Sequence, residues 1–266
     1  MREAKFVNSV MTNSEVWDNV QVKHIESLEK SDIDLLRKIL NAHSKTAKEA
    51  FFLELGILPL RYHLSLRRFM YLWHILHRDT TELIRKVYDL QKCNFKKGDW
   101  VNILQEERMK YDISETDETI SKMSKHKFKK IVKKKIKTHA IQYLKNLSIP
   151  HSKSAEISKN DFKKQSYFQD RRFSKEDVQL LFAMRTKMLD CKTNFSQQYQ
   201  NKLNCRVCNV PESIENEDHL LTCSVLNIEQ YDVQFSDVFG NCDQQYAAVK
   251  AFKKVMRRRK VYLDVI

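Results

Sequence analysis

The chain has 266 residues, 42% of them hydrophobic, and its 48 Lys and Arg against 34 Asp and Glu give a formal net charge of +14. Such a chain can bury a sizeable core, and its basic excess points to a polyanionic partner, nucleic acid first. Only three glycines (Gly56, Gly98, Gly240) and three prolines (Pro59, Pro150, Pro211) occur, which excludes the glycine-rich phosphate cradles of P-loop and dinucleotide-binding enzymes and disfavours turn-rich β folds.

The predicted elements are helical throughout, so the fold class expected is mainly α. Ser31 is placed to cap a helix over Asp32 to Asn41, with Ile33, Leu36, Ile39 and Leu40 as its apolar stripe. Thr46 and Glu49 have capping-box spacing before Ala50, Phe51, Phe52, Leu53 and Leu55; Gly56 then ends that helix and Pro59 starts the next. From Leu60 to Leu90 apolar residues recur at helical spacing (Leu64, Phe69, Leu72, Trp73, Leu76, Leu83, Val87), and His63, His74 and His77 along it share no metal-ligand spacing. A short helical piece is expected over Lys96 to Tyr111, with a cap signal at Ser114 and Asp117.

Between Glu118 and Glu156 no acidic residue occurs. Lys122, Lys125, Lys127, Lys129, Lys130, Lys133, Lys134, Lys135 and Lys137 crowd this block, over a helical stripe of Phe128, Ile131, Val132, Ile136, Ala140, Tyr143, Leu144 and Leu147. One face is expected to dock and the other to stay basic. Lysine-rich faces are commonly only solvated, but they then tend to carry interleaved glutamates, and here none is present; a phosphate backbone would relieve the repulsion. Membrane-surface binding is the weaker alternative, because the apolar side lacks Trp and is needed for packing.

Ser148 to Lys159 reads as a linker. Ser174 with Asp177 caps a helix carrying Val178, Leu181, Phe182, Met184, Arg185 and Leu189. Then come Cys205, Cys208, His219 and Cys223, the pattern C-x2-C-x10-H-x3-C. Two thiols three residues apart can grip one ion from a tight turn, and a His and a Cys at i and i+4 share one side of a helical turn. Four soft or borderline donors without a carboxylate point to structural Zn²⁺; buried free thiols beside one histidine are the alternative. Arg206, inside the motif, is a candidate nucleic-acid contact, and Tyr199 a candidate stacking surface. A final helix, Gln244 to Lys260, carries Val249, Phe252, Val255 and Met256 on one side, with Lys253, Lys254, Arg257, Arg258, Arg259 and Lys260 crowding its end. That cluster suits either the helix dipole or nucleic acid. The resulting division is 1–95 helical, 96–150 a basic helical connector, and 151–266 a C-terminal helical region with its metal motif at 205–223.

Several of these segments, in this order, resemble the C-terminal part of non-LTR (LINE-type) retrotransposon reverse transcriptase polyproteins. Glu49 to Leu76 (EAFFLELGILPLRYHLSLRRFMYLWHIL) is similar to the thumb that follows the polymerase core, and Asn13 to Val20 and Leu28 to Leu40 resemble its lead-in. Lys97 to Trp100, Met123 to Ile136 and the CxxC…HLLTC motif resemble the region beyond it. The resemblance implies a thumb-like helical bundle, a basic connector and a zinc-knuckle-like module that engages RNA or DNA. No Asp-Asp pair that could serve a polymerase palm occurs, and no Pro-Asp of a restriction-like endonuclease. The expectation is therefore a non-catalytic nucleic-acid binder, a remnant of such a polyprotein, with no small-molecule substrate.

The alternative is a zinc-stabilised helical scaffold for protein–protein contacts. No stretch reaches the roughly eighteen apolar residues of a membrane span, and Met1 to Met11 is too polar for a secretory signal. The C-x2-C pair without an export signal reads as a reduced compartment, nuclear or cytoplasmic.

Overall fold

A computed structural model describes residues 2–17, 22–94, 96–149, 155–200, 202–227, 229 and 231–265. Asp18 to Val20 of the thumb-like lead-in, and residues 150–154 of the expected linker, lie outside the described residues. The chain is mainly helical, and among the described residues strand-like pairing is confined to an isolated antiparallel bridge, Asn204 with Ile214. Two compact units are present: Met1–Asp34 with Leu58–Leu144, and Leu35–Ile57 with Lys145–Ile266.

In the first unit a π-helical stretch, Arg2–Val7, runs into α1 (Asn8–Val10) and a 3-10 turn, Ser14–Val16. The helix α2 (Val22–Leu40) begins nine residues before the expected Ser31 cap; the Ser31 hydroxyl donates back to the Ser27 carbonyl at 3.2 Å, as a serine does inside a helix. The central element is α4 (Leu60–Leu76), packed by α5 (Leu83–Cys93), α6 (Trp100–Lys110) and α7 (Asp117–Ser121). Its Tyr62, Phe69, Leu72, Ile75 and Leu76 share one core with Trp100, Val101 and Leu104 of α6 and with Phe128, Val132, Ile136 and Ala140 of α8 (Lys125–Ser148). The helices on either side of residue 95, assigned to separate regions from sequence, thus belong to one hydrophobic cluster.

The apolar run from Leu60 to Leu90 is broken after Leu76. Asp79 accepts from the Thr81 amide at 2.8 Å and from its hydroxyl at 2.6 Å, a side-chain turn that competes with helix. Beyond the break Leu83, Val87 and Leu90 face solvent, at 77%, 44% and 61% exposure. The cap of α7 is Thr116, whose hydroxyl accepts from the Thr119 amide at 3.2 Å, rather than Ser114. Asp117 instead gathers Tyr88, Lys92 and Arg108, each at 2.7 Å.

In the second unit α3 (Lys48–Leu55) is preceded by Ala47, and the Thr46–Glu49 box does not form; the Thr46 hydroxyl is buried with no partner among the described residues. A single turn, α9 (Ala155–Ser158), occupies part of the expected linker and packs on α3. The Ser174–Asp177 capping box of α10 (Lys175–Arg185) forms as expected, with bonds of 3.2 and 3.0 Å. Around α10, the short α11 (Glu217–Thr222) and the long α12 (Cys242–Val265) lies a core of Leu181, Met184, Leu220, Leu221, Val249, Phe252 and Val255. Much of the basic end of α12 is paired: Lys253 with Asp177, Lys254 and Arg258 with Glu229, and Arg259 with Asp190 and Glu215.

Gly56 ends α3 in the left-handed region at φ +61, and a Cβ there would lie 2.4 Å from the backbone of Lys163 and Lys164. Neither strain can be relieved by a side-chain rotation. Gly56→Ala is therefore expected to destabilise the second unit by more than about 1 kcal/mol, read as a lowered denaturation midpoint. An unchanged midpoint would contradict this packing.

Candidate metal centre and lysine face

The metal-ligand pattern is assembled by two local structures. In the first, the Asn204–Ile214 bridge, with Cys205 N donating to Ser213 O and Glu215 N to Leu203 O, both at 2.8 Å, closes a hairpin. Asn209 at φ 50 and Glu212 at φ 64 take the left-handed conformations that such a tight connection requires. Within it the Val207 amide donates to Cys205 Sγ at 3.4 Å. In the second, Asn216 caps α11 by accepting from the His219 amide at 2.7 Å. One helical turn later the Cys223 amide bonds the His219 carbonyl at 2.6 Å, so both side chains lie on one side of the turn.

The donor atoms of Cys205, Cys208, His219 and Cys223 all lie within 4.8 Å of one another, with Cys208 Sγ 3.4 Å from His219 Nε2. Cys205 and Cys223 are buried and the other two half-buried. Before any ion is considered, burial pushes the Cys205 thiol up to about 11. Burial would also raise Cys208, but the Ser213 hydroxyl, the Val210 backbone, His219 and Cys205 outweigh it and bring that thiol down to about 6. A ready thiolate beside three further soft or borderline donors is what a metal ion needs, and the residues fit one. The four ligands expected from sequence come together.

Arg206, between the two cysteines, is half-buried and held by its neighbours. Its side chain bonds Glu215 (Nε at 3.0 Å to each carboxylate oxygen, Nη2 at 2.5 Å), Asp190 (3.2 Å) and the Tyr199 hydroxyl (2.8 Å), and its guanidinium lies 5.0 Å from the Tyr199 ring centroid. Both residues expected to meet nucleic acid here are engaged internally. Glu215, fully buried, also accepts the Arg206 backbone amide at 2.8 Å and Arg259 Nη2 at 2.9 Å; Arg259 Nη1 reaches Asp190 at 3.1 Å. Burial would raise the Glu215 carboxyl, but the Arg206 side chain and amide, with Arg259, hold it below the ordinary range. Nothing local in the sequence marks Glu215, Asp190 or Arg259, because their pairings span up to 69 residues.

The lysines of α8 divide by environment. Phe128, Val132, Ile136, Ala140 and Leu144, one every fourth residue, are buried. Lys122, at the end of α7, pairs with Glu118 at 2.6 Å; on α8 Lys135 pairs with Asp112 at 2.5 Å, and Lys125 Nζ sits 5.8 Å from the Trp73 ring centroid. Lys127, Lys129, Lys130, Lys133 and Lys134 are exposed, and none of them pairs with a carboxylate among the described residues; Lys137 is exposed as well. At 1.5 Å per residue, those five charges occupy about 10 Å of helix. Lys127, Lys130 and Lys134 lie opposite the buried stripe, with Lys129 and Lys133 on its flank.

The first unit also holds a cavity of about 340 Å³ lined by Ser65, Arg68, Glu107, Lys110 and Tyr111 among others. Several of its polar groups serve one another: Ser65 donates to Glu107 at 2.8 Å and meets the Tyr111 hydroxyl at 3.0 Å, and Arg68 donates to Glu107 at 2.8 Å.

Comparison with family models, curated proteins and solved structures gives no match for this chain. Among the described residues, no helix is long and apolar enough to cross a membrane.

Proposed function

We propose that the chain is a non-catalytic nucleic-acid-binding protein: the lysine face of α8 holds phosphates, and Cys205, Cys208, His219 and Cys223 hold one structural Zn²⁺. The observation that carries this reading is the row of exposed lysines, Lys127, Lys129, Lys130, Lys133 and Lys134, with no carboxylate partner among the described residues, backed by a fully buried stripe. Its charges are fixed on a packed helix, so bringing a polyanion to them relieves repulsion without reordering the backbone. Four Cys and His donors with no carboxylate suit Zn²⁺ in a structural role, stabilising the hairpin and α11. The order of the segments resembling the C-terminal part of non-LTR retrotransposon polyproteins supports the same assignment, and a site of action in nucleus or cytoplasm goes with it. RNA and DNA are both candidate partners, since phosphate contacts carry no sequence information.

Binding to generic RNA or single-stranded DNA is expected to weaken steeply with salt. Reversing Lys129, Lys130, Lys133 and Lys134 to Glu is expected to lower the slope of log K against log salt by about 3, at roughly 0.7 per lost contact on single strands. Affinity indifferent to both salt and these substitutions would overturn the reading. A zinc-stabilised scaffold for protein contacts is the second reading, and the exposed Leu83, Val87 and Leu90 of α5 favour it. It predicts that the reversed variant still captures its protein partner.

A further inference from the structure

The four charged side chains beside the metal centre form a closed alternating ring. Glu215 bonds both Arg206 and Arg259, and Asp190 bonds the same two guanidiniums. Two members, Arg206 and Glu215, sit on the metal-site hairpin, and the other two come from separate pieces of the second unit. Arg206 lies within the C-x2-C turn, and Glu215 lies four residues before His219. Asp190 follows α10, and Arg259 is on α12, which supplies no ligand. Glu215 also holds the backbone amide of Arg206 at 2.8 Å, so it fixes the turn that aims Cys205 and Cys208. The Arg259 side chain is 3% exposed and that of Glu215 is 0% exposed, so neither charge can turn to water if the other moves away.

We propose that Glu215 and Arg259 are positioning residues for the metal centre, through which ion binding and the seating of the last turns of α12 become one coupled event. The inference rests on the metal reading above and extends it to residues that touch no ion. A hairpin released from its ion loses the restraint that presents Glu215 to Arg259. Conversely, a displaced α12 leaves Glu215 with one guanidinium fewer and loosens the Cys205–Cys208 turn. Coupling free energy is reciprocal, so each change must appear in the other's equilibrium.

The test is titration of the full chain with Co²⁺ and Zn²⁺ in competition with a chelator, together with hydrogen exchange along α12. Glu215→Gln and Arg259→Met are expected to weaken ion binding by roughly 10- to 100-fold, the range for outer-sphere supports. Asp190→Asn, at an exposed side chain, should weaken it several-fold, and Asp190→Glu, which keeps the charge, should restore it. Stripping the ion from the wild-type chain should speed amide exchange in 255–263 while the centre of α10 stays protected. If Glu215→Gln and Arg259→Met fail to fold, the Asp190 pair decides. Variants that bind as tightly as wild type, or α12 exchange indifferent to the ion, would overturn the coupling alone. A wild-type chain that takes up neither ion would overturn the metal reading and this inference with it.

Discussion

Glu54→Ala is expected to destabilise the second unit by about 3–5 kcal/mol, the cost of leaving one partner of a buried ion pair without the other. The Glu54 and Arg185 side chains are 0% and 1% exposed. Glu54 Oε1 accepts from Arg185 Nη2 at 2.8 Å and from Asn160 at 3.2 Å; Oε2 accepts from Arg185 Nε at 2.9 Å and from the Tyr167 hydroxyl at 2.8 Å. Arg185 Nη1 reaches the Val238 carbonyl at 2.7 Å, and the guanidinium lies 4.9 Å from the Phe239 ring centroid. Burial would lower the Arg185 pKa, but Glu54 outweighs it and raises it; the guanidinium is charged with or without that partner. Removing Glu54 thus strands a cation and a tyrosine hydroxyl in the interior. The double variant Glu54→Leu with Arg185→Leu removes both charges and should recover much of the loss. Chemical denaturation measures all of this; a Glu54→Ala midpoint equal to wild type would contradict the network.

The second large effect is at the metal centre. Cys205→Ser, or chelation, is expected to abolish ion binding and to unfold the hairpin and α11, because structural Zn²⁺ contributes on the order of 10 kcal/mol in small modules of this kind. Residues 203–227 have little regular structure apart from α11, six residues long, and a single bridge. Without the ion, the hairpin that carries Cys205 and Cys208 and the turn that carries His219 and Cys223 lose the partner they share. Hydrogen exchange should show protection lost across 203–227 and retained at Phe69, Leu72 and Val132 in the first unit. Full protection of the hairpin in the Cys205→Ser variant would contradict a role for the ion.

The helical class and the convergence of the four ligands were legible because both are written in local spacing. Gly56 and the Ser174 cap were legible for the same reason: each acts within a few residues of itself. The start of α2 was missed because Val22 to Lys30 is mostly polar, and Ser31 has the same chemistry at a cap as inside a helix. The break after Leu76 was missed because apolar spacing continues across a turn that Asp79 and Thr81 make with their side chains. Leu83, Val87 and Leu90 keep helical period yet point to solvent, since periodicity identifies a face and not what covers it. The two charged networks were invisible for a different reason. Glu54 and Arg185 are 131 residues apart, and Arg206, Glu215, Arg259 and Asp190 are each ordinary surface residues in one dimension. Only the tertiary fold distinguishes the Arg206 guanidinium, held by two carboxylates, from the exposed Lys130 amine.

The measurement that tests the account most directly is the metal content of the purified native chain by intact-complex mass spectrometry, beside Cys205→Ser and His219→Ala. One Zn²⁺ per wild-type chain, lost in either variant, is the predicted result. A wild-type chain that is fully folded and carries no metal would contradict it.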